Sequence, residues 1–246
     1  MKRAIVMAIS VVLALIVAAP IASGKQTSTG EGIGAFTDNW WNWAFENPTA
    51  TSPLVGDYSG GEQCDGFQEG NETGVWFLAG EIALEGDIDT GFVGEATRKC
   101  TVPADTPILF PVFNATCGEA PTVEQPDGTF TGDPKPYTKC AKNFLDQGLV
   151  DSTTFATIDG TDLPITRAAS GLFTWEVPTD DNPQGLPAGS YKTATDGLWV
   201  YLPEGLAPGN YTIKFGGSYF GGFLSWTSPI NSRWSDSIAA ALRQVA

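Results

Sequence analysis

Three tryptophans within four positions are the first residues of this chain that could bind a ligand. The stretch 38–48 reads DNWWNWAFENP, in which Trp40, Trp41 and Trp43 surround Asn42. Exposed indole rings present a flat apolar face on which a sugar ring can stack, and the Asn42 amide could hydrogen-bond to its hydroxyls. Buried, the same rings would anchor a core. A short helix that is apolar nearly all round is normally buried, which favours the anchor and leaves a carbohydrate platform as the alternative.

Carboxylates are the second group that could do chemistry. Hydrolysis of a glycosidic bond needs two acids about 5–10 Å apart across a cleft. The chain has 28 acidic residues, so pairs are easy to propose and hard to rank. Glu46, Glu176 and Glu204 stand beside aromatic residues and are the weak catalytic candidates. We assign no catalytic residue and favour a protein that is not an enzyme.

A short acidic run could supply oxygen ligands to calcium. The stretch 85–91 reads EGDIDTG and places Asp87 and Asp89 at alternate positions. An EF-hand loop needs a third oxygen ligand where Gly91 stands and a glutamate further on, and this run has neither at the required spacing. We interpret it as a solvated acidic turn and expect no cofactor, with calcium at Asp87 and Asp89 as the alternative.

The absence of histidine limits the possible reactions. The chain has none, which excludes Ser-His-Asp and Cys-His catalysis and histidine-ligated zinc, iron or copper.

Four cysteines predict two disulfides. They are Cys64, Cys100, Cys117 and Cys140, and no C-x-x-C spacing suggests a metal site. Three pairings are possible. We predict Cys64–Cys100 and Cys117–Cys140, because sequential pairing closes two local loops around apolar strands.

The N-terminus predicts export. Lys2 and Arg3 precede an apolar run over 4–19, Pro20 breaks it, and small residues follow, as in a secretory signal peptide over 1–24. A 16-residue helix spans about 24 Å, less than the hydrocarbon core of a bilayer. We expect a secreted or cell-surface protein, with an uncleaved anchor as the alternative and no membrane segment after cleavage.

The charge of the chain is strongly negative. Its formal net charge is −15, and removal of Lys2 and Arg3 with the signal peptide would make it −17. Such a surface repels nucleic acid and anionic lipid, so neither is an expected partner. Solubility outside the cell is the simplest explanation, with calcium or a cationic partner as the alternative.

Short apolar runs bounded by Gly, Pro, Asp and Asn predict a mainly-β domain over 36–246, preceded by a flexible leader over 25–35. Strands are expected at 75–80, 99–103, 107–113, 172–177, 198–202 and 211–215. A hairpin over 157–165 should turn at Asp159-Gly160. Helices are expected after an Asp38 cap, at 139–149 and at 235–245. A β-sandwich-like domain with a few short peripheral helices and two disulfides fits this pattern.

Three sequons could accept glycans. Asn71, Asn114 and Asn210 each begin an N-x-T sequence. They are glycosylation candidates if the source organism has the necessary enzymes.

Several motifs together resemble a family of uncharacterised secreted microbial proteins. They are WWNWAFENP, Cys64 followed by Gln68 and VWFLAG, RKCTVPADTPILFPVFN, ATIDGTDLPITR and TDGLWVYLPEGLAPGNYTIKFGG, in order over roughly 36–217. The resemblance implies export and a mostly-β fold, and it supplies no activity and no catalytic residues. Members of that family tend to end in another strand after FGG, whereas residues 218–246 here look atypical and end in an apparent helix.

The sequence favours the first of three functions and leaves the other two as alternatives. The first is a non-catalytic carbohydrate- or envelope-binding module whose partner is a polysaccharide or another cell-surface component. The second is a polysaccharide-acting hydrolase with an Asp/Glu pair, and the third is a purely structural envelope protein. Exposed tryptophans would favour the first, two close acids in a cleft the second, and fully packed aromatic residues the third.

Overall fold

The computed structural model describes residues 30–55, 68, 73–80, 85–87, 91–219 and 222–233, and these form a mainly-β fold with two α-helices. The predicted signal peptide, Cys64, Asn71, Asp89 and the predicted helix at 235–245 lie outside the described residues. The helices are α1 (Gly30–Phe45) and α2 (Tyr137–Gly148), and a 3₁₀ turn covers Thr49–Thr51. The strands are β1 (Trp76–Phe77), β2 (Glu85–Asp87), β3 (Gly91–Thr97), β4 (Cys100–Pro103), β5 (Ile108–Gly118), β6 (Val123–Glu124), β7 (Phe130–Thr131), β8 (Thr154–Ile158), β9 (Thr161–Asp162), β10 (Thr166–Ala169), β11 (Phe173–Val177), β12 (Gly189–Leu202), β13 (Gly209–Tyr219) and β14 (Gly222–Arg233).

Two sheets contain most of these strands. The five-stranded sheet has the order β1-β5-β12-β10, and β11 also pairs with β12. The seven-stranded sheet has the order β2-β3-β14-β13-β8-β9, and β4 also pairs with β14. A separate ribbon joins β6 and β7. The strands run mostly antiparallel, although β1 pairs with β5, and β14 with β3 and β4, in parallel.

The main core lies between the two sheets. Phe110 of β5 meets Phe215 of β13 with ring centroids 4.6 Å apart, and both side chains are fully buried. Val200, Ile213 and Ile230 belong to the same buried cluster. Removing this apolar surface from water on both inner faces is what holds the sheets together.

A β-bulge in β5 changes which residues reach this core. Leu198 pairs with Phe113 and Trp199 pairs with Pro111, so Val112 is an extra residue in β5. Side chains alternate along a strand, and an extra residue reverses the alternation. Both Val112 and Phe113 therefore belong to the inter-sheet core.

The outer face of the five-stranded sheet is covered by α1. A second buried cluster joins α1 to Leu109, Trp175 and Trp199 of this sheet. The sheet is thus buried on both faces and forms the middle of three layers.

Helix α1 begins eight residues before the predicted Asp38 cap and includes residues 30–35, which we had assigned to a flexible leader. The apolar spacing explains the difference, because Ile33, Trp40 and Ala44 recur at helical intervals and all are buried. Gly34 allows the helix to approach the sheet, since a Cβ there would lie 2.9 Å from the Ala169 carbonyl oxygen. Asp38 is an interior residue of the helix.

The prediction for α2 is confirmed within two residues at its start. Its buried residues are Tyr137, Ala141, Leu145 and Gly148, which share one face. The predicted disulfide between Cys117 of β5 and Cys140 of α2 is also confirmed and ties this helix to the sheet. Cys100 is disulfide-bonded as well.

The predicted hairpin is confirmed. Strands β8 and β9 are joined by Asp159 and Gly160, whose φ angles of 49° and 80° fit a two-residue primed turn. Asp159 Oδ1 also accepts a hydrogen bond from the Thr212 N–H at 2.8 Å, which attaches the turn to β13.

The C-terminal segment from residue 218, which looks atypical in the sequence, completes β13 at Tyr219 and forms strand β14 in the part that the structure describes. Strand β14 pairs along its length with β13 and, on its other side, with β3 and β4. Its position inside the sheet comes from partners far away in the sequence, which a local pattern does not show.

Tyr219 of β13 provides a pH-dependent test of the packing between the two sheets. Its ring lies 5.0 Å from that of Phe113, nearly parallel, and burial raises the pKa of its hydroxyl above the ordinary value of 10. In the unfolded chain the phenol loses its proton near pH 10, while the folded state keeps it. The contribution to stability is therefore complete below pH 10 and is lost as the pH rises towards the folded pKa, by about 1.4 kcal/mol per pH unit.

We expect the free energy of unfolding of the natural chain to fall more steeply above pH 10 than that of Tyr219→Phe. Urea denaturation at a series of pH values from 8 to 11 would measure both slopes. Parallel curves for the two proteins would contradict the assignment.

Candidate functional site

Trp40 lies at the centre of the interface between α1 and the five-stranded sheet. Its Nε1–H donates to the Leu78 carbonyl oxygen at 2.9 Å. Its ring makes edge contacts with Trp41 and Trp199, each at a centroid distance of 5.7 Å. The Trp40 ring is packed against other rings and its N–H is hydrogen-bonded within the protein, so neither can bind a ligand.

Trp41 joins the helix to two central strands through a chain of hydrogen bonds. Its Nε1–H donates to Thr195 Oγ1 of β12 at 2.8 Å, and that hydroxyl donates to the Ala115 carbonyl oxygen of β5 at 2.7 Å. The indole also stacks on Phe45 at 4.8 Å. Hydrogen bonding of the buried N–H removes the main cost of burying a tryptophan.

The predicted stacking platform is wrong for these tryptophans. Trp40, Trp41 and Trp43 are only 2%, 6% and 8% exposed, so no face is open to a sugar. The Asn42 amide is directed at the backbone of β11, where it lies 3.4 Å from both the Thr174 carbonyl oxygen and the Glu176 nitrogen. The tryptophans are buried because α1 packs on the five-stranded sheet, and removing the aromatic rings from water there lowers the free energy of the folded state.

The aromatic residues on the α1 face of this sheet belong to the same packing. Trp175 and Trp199 are buried, and Trp199 donates from Nε1 to the Ala168 carbonyl oxygen at 3.2 Å. Tyr201 is half-buried against Phe36, with ring centroids 5.8 Å apart. These three residues form the sheet side of the α1 interface.

The three candidate acids are exposed, and Glu204 lies far from Glu176. Glu176 lies opposite Ser190, at the start of β12, and accepts a hydrogen bond from its hydroxyl. Glu204 follows the end of β12, roughly 40 Å along the strand from Ser190. Glu46 follows the last residue of α1, and its N–H donates to the carbonyl oxygen of Asn42, whose side chain contacts the Glu176 nitrogen. Glu204 therefore cannot pair with Glu176 across a glycosidic bond, and of the three candidates only Glu46 and Glu176 lie at the same end of the sheet.

The structure describes some of the predicted calcium ligands and glycosylation sites, but not all of them. Asp87 ends β2, and its predicted calcium partner Asp89 lies outside the described residues. Asn114 lies within β5 with its side-chain nitrogen buried, out of reach of a glycosylating enzyme in the folded chain. Asn210 is exposed at the start of β13 and stays a glycosylation candidate. Asn71 is not among the described residues.

An ion-pair network around the buried Asp196 has no signal in the sequence. Arg167 of β10 donates from Nε and Nη2 to the Asp196 carboxylate, at 2.6–3.1 Å, and from Nη1 to Asp146 of α2 at 2.7 Å. Asp196 is 4% exposed. Hydrogen bonding to Asp196 raises the pKa of Arg167, and hydrogen bonds from Lys142 and Arg167 lower the pKa of Asp146. The network neutralises a buried carboxylate and fastens α2 to the sheet.

A second cluster that the sequence did not reveal surrounds the Cys117–Cys140 disulfide. Asp133 brings a carboxylate oxygen to within 4.8 Å of both sulfur atoms. Partial burial raises the pKa of Asp133, an effect that the hydrogen bond from Gly118 opposes. Only the close approach of the segment before α2 to the end of β5 brings these groups together.

The structural comparison finds one distant likeness. No protein-family model matches the chain, and no curated protein is similar to it. The solved structure of PbICP-C in complex with falcipain-2 aligns at 11% identity, over 64% of this chain and 98% of that chain. The TM-score of 0.20 is too low to support an argument about fold or function. Neither helix in the described part of the chain has the length and apolar character that a bilayer crossing requires.

Proposed function

We propose that this protein is an exported, non-catalytic structural component of the cell envelope or cell surface. The observation that carries this proposal is the complete packing of the α1 tryptophans against the sheet. Aromatic residues that would be exposed in a sugar-binding site here join a helix to two central strands.

The placement of the candidate acids supports a non-catalytic role. Glu204 is roughly 40 Å along β12 from the residue that faces Glu176, far beyond the 5–10 Å that glycoside hydrolysis requires. Glu46 and Glu176 are exposed at the rim of the α1 layer.

Export is supported by the sequence and by the disulfide. The N-terminal segment has the layout of a signal peptide, and a stable Cys117–Cys140 bond is typical of oxidising compartments. The acidic composition would keep such a protein soluble at the cell surface.

The test combines an activity assay with a binding assay on the cleaved, oxidised protein. We expect no release of reducing ends from a panel of soluble polysaccharides. We also expect no saturable tryptophan-fluorescence shift, and much weaker iodide quenching than in the urea-unfolded chain. In the same series, the protein should co-sediment with cell envelopes of the source organism.

Two results would contradict the proposal. Release of reducing ends that is lost in Glu46→Gln or Glu176→Gln, but kept in Glu204→Gln, would make the protein a hydrolase. A saturable fluorescence shift with one polysaccharide would make it a carbohydrate-binding module that uses a surface other than α1.

A further inference from the structure

The disulfide Cys117–Cys140 and Asp133 bring two sulfur atoms and a carboxylate oxygen into one cluster. Two sulfur atoms and one carboxylate oxygen lie within 4.8 Å of one another, on three different segments of the chain. Cys117 is buried near the end of β5, Cys140 is half-buried in the first turns of α2, and Asp133 is half-buried in the segment between β7 and α2. Two thiolates with one carboxylate and a water are a donor set that zinc and cadmium accept.

Asp133 is held in place independently of the disulfide. Its Oδ2 accepts a hydrogen bond from the Gly118 N–H at 2.9 Å, and its own N–H donates to the Gly118 carbonyl oxygen at 2.8 Å. This reciprocal pair fixes the carboxylate beside Cys117, the residue before Gly118. Gly132 makes the contact possible, because a Cβ there would lie 2.7 Å from the Gly118 carbonyl oxygen.

Helix α2 is also attached to the sheet by contacts other than the sulfur–sulfur bond. Tyr137 and Ala141 pack with Ala194 around the disulfide, and Leu145 enters the inter-sheet core. At the far end of the helix, Asp146 is bound to Arg167. Opening the disulfide would therefore leave both cysteines close to Asp133.

Reduction of the disulfide would place two thiols beside the Asp133 carboxylate, and these groups repel one another when all three are ionised. Two ionised thiols beside an ionised carboxylate are three negative charges in a half-buried space. No described basic side chain makes a hydrogen bond or ion pair with Asp133. The conflict is resolved when the thiols keep their protons or when a divalent cation binds all three groups.

We propose that the reduced form of this cluster binds one thiophilic divalent cation through the thiolates of Cys117 and Cys140 and the carboxylate of Asp133. An external phosphine supplies the two electrons that cleave the sulfur–sulfur bond and becomes a phosphine oxide by taking the oxygen of one water molecule, whose two protons complete the thiols. The cation then displaces both thiol protons. The bound metal then links α2 to β5 in place of the disulfide.

The experiment is a cadmium titration of the full chain, reduced with a phosphine, with thiolate-to-metal charge-transfer absorption as the readout. We expect one cadmium ion per chain in the natural protein. The signal should disappear in Cys117→Ser/Cys140→Ser, which keeps Cys64 and Cys100 as a matched thiol control.

Two carboxylate variants separate a ligand from general negative charge. Asp133→Asn keeps an oxygen that can accept the Gly118 hydrogen bond, and it should bind cadmium at least about tenfold more weakly. Glu119→Gln removes a neighbouring carboxylate whose Oε2 accepts from the Lys192 N–H at 3.0 Å, and it should bind as the natural chain does.

A second readout covers the case in which the reduced chain unfolds. Cadmium should then raise the thermal unfolding midpoint of the reduced natural protein, but not that of Cys117→Ser/Cys140→Ser. The proposal is overturned if the double variant binds equally well, if Asp133→Asn has unchanged affinity, or if the reduced natural protein neither binds nor is stabilised.

Discussion

Replacing Trp40 with alanine should lower the free energy of unfolding by about 3–5 kcal/mol, the range for deletion of a fully buried aromatic side chain. The ring contacts Trp41, Trp43 and Trp199, and its removal would leave a cavity at the centre of the α1 interface. The Leu78 carbonyl oxygen would lose its donor at the same time. Urea denaturation followed by far-UV circular dichroism measures the change.

The matched control for this variant is an aromatic residue that is exposed. Phe130 on β7 is 56% exposed, so Phe130→Ala should change the free energy of unfolding by no more than about 0.5 kcal/mol. A loss below 1 kcal/mol for Trp40→Ala would show that the α1 tryptophans do not anchor the core.

Replacing Gly217 with alanine should cost roughly 2–6 kcal/mol, because over-packing and backbone strain act together. A Cβ at this position would lie 1.8 Å from the Thr153 carbonyl oxygen, and the φ angle is +150°. The obstacle is backbone of the neighbouring segment rather than a flexible side chain. The contact can be relieved only by moving β13 away from β8.

Gly32 is the matched control for Gly217. It is exposed within α1, and a Cβ there would meet nothing within 4 Å. Because alanine favours a helix more than glycine does, Gly32→Ala should raise the free energy of unfolding by up to about 1 kcal/mol. If both variants lost the same stability, the close approach at Gly217 would not be the cause of its effect.

Local sequence patterns predicted much of the β structure. The Asp159-Gly160 turn, α2 and the Cys117–Cys140 bond are all present. Strands were found at the predicted places but with different lengths. The run at 198–202 is the end of a strand that begins at Gly189, because polar residues extend a strand whenever its neighbours can pair with them.

The site was less predictable because its contacts join distant parts of the chain. Arg167 and Asp196 are 29 residues apart, and Asp133 reaches Gly118 across 15 residues. A single charged residue is part of no periodic pattern, so the sequence does not predict which distant residue it contacts. Both clusters exist because separate strands and helix ends meet in three dimensions.

What the sequence determined by itself is local: alternating and helical apolar spacing, turn residues and the exclusion of histidine chemistry. Only the tertiary structure decided what the α1 tryptophans do. Their pattern was compatible with an open platform or a core, and burial depends on what lies opposite the helix. Trp41 finds its hydrogen-bond acceptor in Thr195, 154 residues further along the chain. Because the burial of a side chain depends on residues that are distant in the sequence, the stretch 38–48 alone does not show whether its tryptophans are exposed or buried.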